Sequence, residues 1–120
     1  MDSTLRVVER AVGDVTVLAL SGQVTLDDGD LLVGRRIREL ADCGRVKIIL
    51  DLAGVTHIDS SGIGMMAGKL KTVCERGGDL KLLNLTPRTQ RILGTMKLLL
   101  VFETFDNEEL AIRSFAANVR

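Results

Sequence analysis

A group of acidic, hydroxyl and imidazole side chains stands where an apolar segment gives way to a helical pattern. The stretch "HIDSSGIG", residues 57–64, brings His57, Asp59, Ser60 and Ser61 close together in the chain. A serine beside a histidine and an acid has the components of nucleophilic catalysis. A serine or an aspartate before a helix can instead cap it. The stretch is therefore either a well-made helix start or a serine presented to another molecule.

Catalysis is the less favoured of these chemistries. His57 is the only histidine, and it precedes Ser60 at the end of a strand, where neighbouring side chains point to opposite faces. Asp59 occupies a position that the G-x-S-x-G nucleophile elbow does not give to an acid. The sequence has neither a P-loop lysine nor a G-x-G-x-x-G stretch, which disfavours a small nucleotide-binding or hydrolytic protein. We expect no catalytic residues, no cofactor and no enzymatic activity.

The helix that follows begins with good caps and two unusual glycines. Either Asp59 or Ser60 can accept from the free amides of the first turn. Gly62 and Gly64 each cost about 1 kcal/mol relative to alanine inside a helix. Two explanations stay open: another molecule approaches the backbone closely, or the helix packs tightly on the sheet.

The same helix has a predicted inner and outer face. Residues at helical spacing form an apolar stripe, namely Ile63, Met66, Ala67, Leu70, Val73 and Cys74. The opposite face carries Ser61, Met65, Gly68, Thr72, Glu75 and Arg76. On that face Met65 forms, with Ser61 and Gly68, a partly apolar platform suited to a protein partner. Alternatively, Met65 fills a gap under a loop.

Composition narrows the class of protein. The 120 residues fit one domain spanning residues 1–120, and 16 basic residues balance 16 acidic ones, which argues against nucleic acid as a partner. No signal peptide is visible, and no run approaches the about 20 apolar residues of a membrane span. We therefore expect a soluble, cytoplasmic protein without membrane insertion. Cys43 and Cys74 are expected to be reduced, half-buried packing residues, and with His57 they offer too few ligands for a metal.

Strands and helices alternate along the chain. Strand patterns cover residues 3–10, 14–22, 45–54, 79–85 and 98–105, and helical patterns lie within 26–44, 60–76, 86–96 and 106–119. The first two strands flank a Gly13-Asp14 turn and predict a β-hairpin. The alternation that follows predicts parallel strands. We expect an α/β fold: a mixed, mostly parallel sheet of four or five strands, an N-terminal β-hairpin and about four helices.

The stretch "KIILDLAGVTHIDSSGIGMMAGKLKTVCERGGDLKLLNLTPRTQRIL" resembles the STAS-domain family, in particular the bacterial anti-sigma-factor antagonists. The resemblance implies a protein that binds an anti-sigma factor and releases a sigma factor. It implies phosphorylation of Ser60 by that anti-sigma factor, a serine kinase of the GHKL ATPase type, and reversal by a PP2C-type phosphatase. The expected partner-binding residues are Asp59, Ser60, Ser61, Gly62, Met65, Gly68, Lys69 and Thr72.

One segment departs from the family pattern. Many antagonists carry acids in a "G-E-[LI]-D" turn, where this chain has Gln23 and Thr25, and Asp27 and Asp28 follow in a different register. The departure bears on how the chain contacts a kinase and leaves the "DSSG" motif intact. The alternative function is a STAS interaction subunit of an ABC-type transporter or of a stressosome-like assembly, without a phosphorylation switch.

Overall fold

A computed structural model describes residues 5–26 and 29–117. The strands are β1 (Leu5–Val12), β2 (Val15–Val24), β3 (Lys47–Ile58), β4 (Asp79–Leu83) and β5 (Thr104–Phe105). The helices are α1 (Asp30–Asp42), α2 (Ser60–Glu75), α3 (Pro87–Thr95) and α4 (Glu108–Ala117). The predicted α/β class, the N-terminal hairpin and the four helices are confirmed for this part of the chain.

The strands lie side by side in chain order, β1-β2-β3-β4-β5. β1 and β2 are antiparallel, and Gly13 turns between them with φ 63°, a left-handed conformation that glycine adopts without strain. The pairs β2–β3, β3–β4 and β4–β5 are parallel. Since parallel neighbours need a crossover connection, a helix follows each of β2, β3 and β4. The sheet is therefore mixed and mostly parallel, as expected.

Helices cover both faces of the sheet. One face packs against α1, α2 and α3 in a core that includes Leu18, Leu20, Ile37, Leu50, Met66, Leu82 and Leu93. The other face packs against α4 in a smaller core of Val15, Val17, Ile49, Leu83, Ala111 and Phe115. Residues 48–50 of β3 and 80–83 of β4 are thus buried on both faces, which explains the apolar runs in these two strands.

The apolar run at residues 98–105 is where the predicted elements were wrong. Only Thr104 and Phe105 form a strand, and the leucines before them lie in turns. Leu98 and Leu99 pack against the core, whereas Leu100 is 99% exposed. A turn can direct successive leucines to core and to water, so an unbroken apolar run does not require a strand.

One buried lysine lies under α4. Lys81 of β4 is 0% exposed; its Nζ donates to Ser114 Oγ at 2.6 Å and lies 2.8 Å from Glu103 Oε1. The same ammonium sits 4.3 Å from the ring centroid of Phe115. Because an acidic side chain and an aromatic ring both contact the ammonium, the charge of this lysine is compensated away from water.

Within residues 5–26 and 29–117 the helices are too short or too polar to cross a membrane.

Candidate functional site

The carboxyl end of β3 leads directly into α2, and Asp59 stands at the junction. Asp59 has extended backbone angles, and its Oδ1 accepts from the Gly62 amide at 3.0 Å. Asp59 is therefore the N-cap of α2, one of the two possibilities that the sequence left open. Ser60 is the first residue of the helix and not its cap.

Ser60 is exposed at the first turn of α2. Among the contacts of the described residues, no hydrogen bond involves its side chain. The backbone around it is fixed on both sides, since β3 precedes it and the capped helix follows. The hydroxyl is thus held at a defined place on the surface and has no part in the hydrogen bonds that begin the helix.

Asp59 also joins α2 to the segment that follows β2. Its second oxygen, Oδ2, accepts from the Leu26 amide at 3.1 Å. Desolvation raises the pKa of the Asp59 carboxyl, but hydrogen bonds from the amides of Leu26, Gly62 and Ser61 outweigh it and hold the pKa below its ordinary value. The carboxylate therefore stays charged, and it places the 63% exposed side chain of Leu26 near the start of α2.

The glycines of α2 have different reasons to be glycine. A Cβ added at Gly62 would collide with the Val24 carbonyl oxygen and would lie 3.0 Å from Ile58 Cγ1. Gly62 is buried and lets α2 pack closely on the end of β2. A Cβ at Gly64 or Gly68 would meet nothing within 4 Å. Tight packing thus explains Gly62, whereas it leaves Gly64 and Gly68 unexplained.

The outward side of α2 is a ridge of small and charged residues. Ser60, Gly64, Gly68, Lys71 and Glu75 are all exposed and recur every three or four positions. We call these five residues the α2 ridge. It presents bare backbone at the two glycines, immediately after Ser60.

Met65 does not lie on that ridge, so its expected placement was wrong. It is half-buried and packs against the core. A Cβ added at Gly34 would lie 3.2 Å from Met65 Cγ and 3.3 Å from Lys69 Cε. Both side chains therefore lie against α1. Ser61 and Thr72 are also half-buried, and the Thr72 hydroxyl donates to the Gly68 carbonyl at 3.1 Å. Met65 fills space between two helices and not under a loop.

The prediction for the inner stripe of α2 is correct except at Cys74, and the prediction that both cysteines are half-buried is wrong. Ile63, Met66 and Val73 are buried as predicted, and Ala67 and Leu70 are half-buried. Cys74, assigned to the same stripe, is exposed, and so is Cys43. Cys43 follows the last residue of α1, and Cys74 lies in the last turn of α2.

Among the described residues, no hydrogen bond joins His57 to Ser60. It is exposed, and its Nδ1 lies 3.2 Å from Thr56 Oγ1, which in turn donates to the Gly22 carbonyl. Across the described part of the chain, no three His, Cys, Asp or Glu side chains are grouped to hold a metal ion.

The segment that departs from the family pattern lies beside the site. Gln23 pairs with His57 across β2 and β3, and Thr25 forms an isolated bridge with Gly29. Asp27 and Asp28 lie outside the described residues.

Comparison with known proteins agrees with this geometry. A model of the STAS domain matches residues 6–111. The chain belongs to the STAS-domain family. The anti-sigma F factor antagonist of Paenibacillus polymyxa is 26% identical to this STAS chain over 98 residues, 82% of this chain and 84% of that protein.

Solved structures of other proteins share the fold. An anti-sigma factor antagonist from Mycobacterium paratuberculosis matches with a TM-score of 0.83 at 16% identity, covering 97% of each chain. The Bacillus cell fate determinant SpoIIAA, in its phosphorylated form, matches with a TM-score of 0.73 at 22% identity, covering 91% of this chain and 98% of that one. The family resemblance found in the sequence is thereby confirmed.

Proposed function

We propose that this protein is an anti-sigma-factor antagonist whose binding is switched off by phosphorylation of Ser60. In its unmodified form it binds an anti-sigma factor, which then releases a sigma factor. The anti-sigma factor is itself the serine kinase, of the GHKL ATPase type, and a PP2C-type phosphatase restores the binding form. The chain acts as one STAS domain and carries out no catalysis of its own.

The division of work between Asp59 and Ser60 carries this proposal. Asp59 makes the capping hydrogen bond, so modification of the Ser60 hydroxyl removes no contact that begins α2. Ser60 is exposed, so a kinase can reach its hydroxyl. A residue that is positioned by its neighbours but not needed by them suits a reversible switch.

The electrostatics of the helix start support an off switch. Free amides and the helix dipole at an N-terminus tolerate a phosphate, so modification leaves the fold intact. The phosphate adds a charge of about −1.5 to −2 beside the Asp59 carboxylate. Desolvating that charge against an apolar or acidic partner surface costs several kcal/mol, and about 1.4 kcal/mol already changes affinity tenfold.

The surface proposed for the partner is the start of α2, its outward side and the edge of α2 that packs against α1. It comprises Asp59, Ser60, Ser61, Gly62, Met65, Gly68, Lys69 and Thr72, to which the α2 ridge adds Gly64. Gly62 contributes by letting α2 sit close to β2, since it is itself buried. The bare backbone at Gly64 and Gly68 admits a partner side chain closer than alanine would allow.

The test begins with the binding partner. Capture from native lysate followed by mass spectrometry should identify a kinase-type anti-sigma factor. With that protein and ATP, peptide mapping should find one phosphate, on Ser60. The phosphorylated chain should bind at least tenfold more weakly than the Ser60→Ala variant, which binds whether or not ATP is present.

Ser61→Ala is the matched control, because Ser61 is the adjacent hydroxyl and is half-buried. This variant should still be phosphorylated and released. Phosphate on Ser61 or Thr56 with Ser60 unmodified would contradict the proposal. Binding that ignores phosphorylation would favour the alternative, an interaction subunit of a transporter or of a stressosome-like assembly.

A further inference from the structure

The surface between α1 and α2 contains an open groove of about 280 Å³. Leu31 and Gly34 of α1 and Met65 of α2 supply its apolar part. Leu31, in the first turn of α1, is 63% exposed. Apolar surface of this kind is covered when a partner docks.

The rim of the groove carries positive charges that are largely uncompensated. Arg35, Arg38 and Lys69 line it. Arg38 lies 3.9 Å from Asp42, whereas Arg35 and Lys69 have no ion pair among the described residues. Of the acids at the rim, Glu39 is engaged with Arg36 at 4.0 Å. The other, Asp30, is buried and accepts from the Leu31 amide at 2.8 Å.

The shape of the groove favours a helix as its occupant. Its lining on α1 extends from Asp30 to Glu39, roughly 13 Å along the helix axis at about 1.5 Å per residue. An extended peptide would need a free strand edge to pair its backbone, and this groove is walled by two helices. A helix satisfies its own backbone and inserts side chains spaced i, i+4 and i+7.

We propose that this groove docks an amphipathic helix of a protein partner, with leucine-like side chains entering beside Met65 and acidic residues facing Arg35 and Lys69. The proposal deepens the proposed function, because Met65 and Lys69 belong to the surface assigned to the anti-sigma factor. It gives these two residues a role that is separate from the α2 ridge and from Ser60.

A synthetic helix tests the groove without any kinase. The probe is a stapled peptide of about four turns with leucines at i, i+4 and i+7 and glutamates beside them. The control peptide carries lysines in place of the glutamates. With the methionine methyl groups labelled for NMR, the acidic peptide should shift the signal of Met65 and leave that of Met96 unchanged, and it should bind at least tenfold more tightly than the lysine peptide.

Two pairs of variants check charge and apolar contact separately. The double variant Arg35→Glu, Lys69→Glu should weaken binding of the acidic peptide at least tenfold. The double variant Arg88→Glu, Arg91→Glu on α3 should leave this binding unchanged. Leu31→Ser should weaken binding of the acidic peptide at least tenfold, whereas Leu110→Ser, at a 53% exposed leucine on α4, should not.

Equal binding of the two peptides, or equal effects of groove and control variants, would overturn the proposal. So would concentration-dependent shifts of Met65 without peptide, since a second copy of the chain would then fill the groove. Because no kinase is present in the peptide experiment, a negative result there does not contradict phosphorylation of Ser60. Absence of phosphorylation likewise does not contradict docking of a helix in the groove.

Discussion

The Asp59 carboxylate connects two parts of the chain that are far apart in sequence. One oxygen begins α2, and the other holds the Leu26 amide after β2. The neighbouring Ser60 makes neither contact. Asp59 thus makes the structural contacts, and its neighbour Ser60 is the residue proposed for modification. Single variants of each residue can measure this difference as a change in stability.

We expect Asp59→Ala to destabilise the protein and Ser60→Ala to leave it almost unchanged. Loss of the cap should lower the free energy of unfolding by about 0.5–2 kcal/mol, and loss of the Leu26 contact adds to that. Ser60→Ala, an exposed change without a lost hydrogen bond, should stay within about 0.5 kcal/mol. Urea denaturation of both variants measures this, and equal losses would show that Ser60 shares the capping.

The sequence predicted the position of this site but not its internal arrangement. Aspartate and serine are about equally good caps, so no rule on residue types decides between Asp59 and Ser60. The Leu26 contact spans 33 residues and has no local signal. Met65 was misplaced for a similar reason, because the space it fills exists only where Gly34 of α1 passes α2.

At the scale of the element, α2 presents three distinct surfaces. Its inner face packs on the sheet, one edge packs against Gly34 of α1, and the α2 ridge faces outward. Glycine serves two of these surfaces. Gly62 allows the close packing of the inner face, and Gly64 and Gly68 leave the ridge bare.

Alanine at these glycines should have opposite effects on stability. Gly62→Ala forces a methyl group into the Val24 carbonyl and should cost about 1–3 kcal/mol. Gly68→Ala meets open space and should stabilise the helix by up to about 1 kcal/mol. Thermal unfolding measures both. If the ridge binds the partner, Gly68→Ala should be more stable yet bind more weakly; unchanged binding would remove Gly68 from the surface.

Elements with explicit end signals were predicted best. Thr86 and Pro87 mark the start of α3, where the Thr86 hydroxyl accepts from the Thr89 amide at 3.1 Å. Elements defined only by apolar composition were predicted worst. The run at residues 98–105 lacks the alternation that would distinguish a strand from a buried turn, and β3 extends to Ile58, beyond its predicted end at residue 54.

At the scale of the whole molecule, α4 packs against the second face of the sheet and contacts two of its strands. Its first turn reaches β1, where Glu108 pairs with Arg10 at 2.6 Å, and Ser114 reaches Lys81 of β4. This arrangement could not be predicted from the sequence, because a lysine within an apolar strand predicts a solvated residue and Ser114 lies 33 positions further along the chain.

Volume rather than charge should dominate the contribution of Lys81 to stability. Lys81→Ala leaves a cavity under Phe115 and should cost about 2–5 kcal/mol. Lys81→Met fills the same space, and because an apolar side chain can replace a buried ion pair at little cost, it should lose under about 1.5 kcal/mol. Lys71→Ala, an exposed lysine, is the control. Chemical denaturation with equal losses for both Lys81 variants would assign the stability to the ion pair.

The position of α4 after all five strands in the sequence also orders events in time. During synthesis β1 to β4 emerge before α4, and since strand order follows chain order, each strand can pair with the one made just before it. The apolar face of Val15, Val17, Ile49 and Leu83 stays open to water until α4 has been synthesised. A nascent chain stopped short of Glu108 should therefore be the form that chaperones retain and proteases remove.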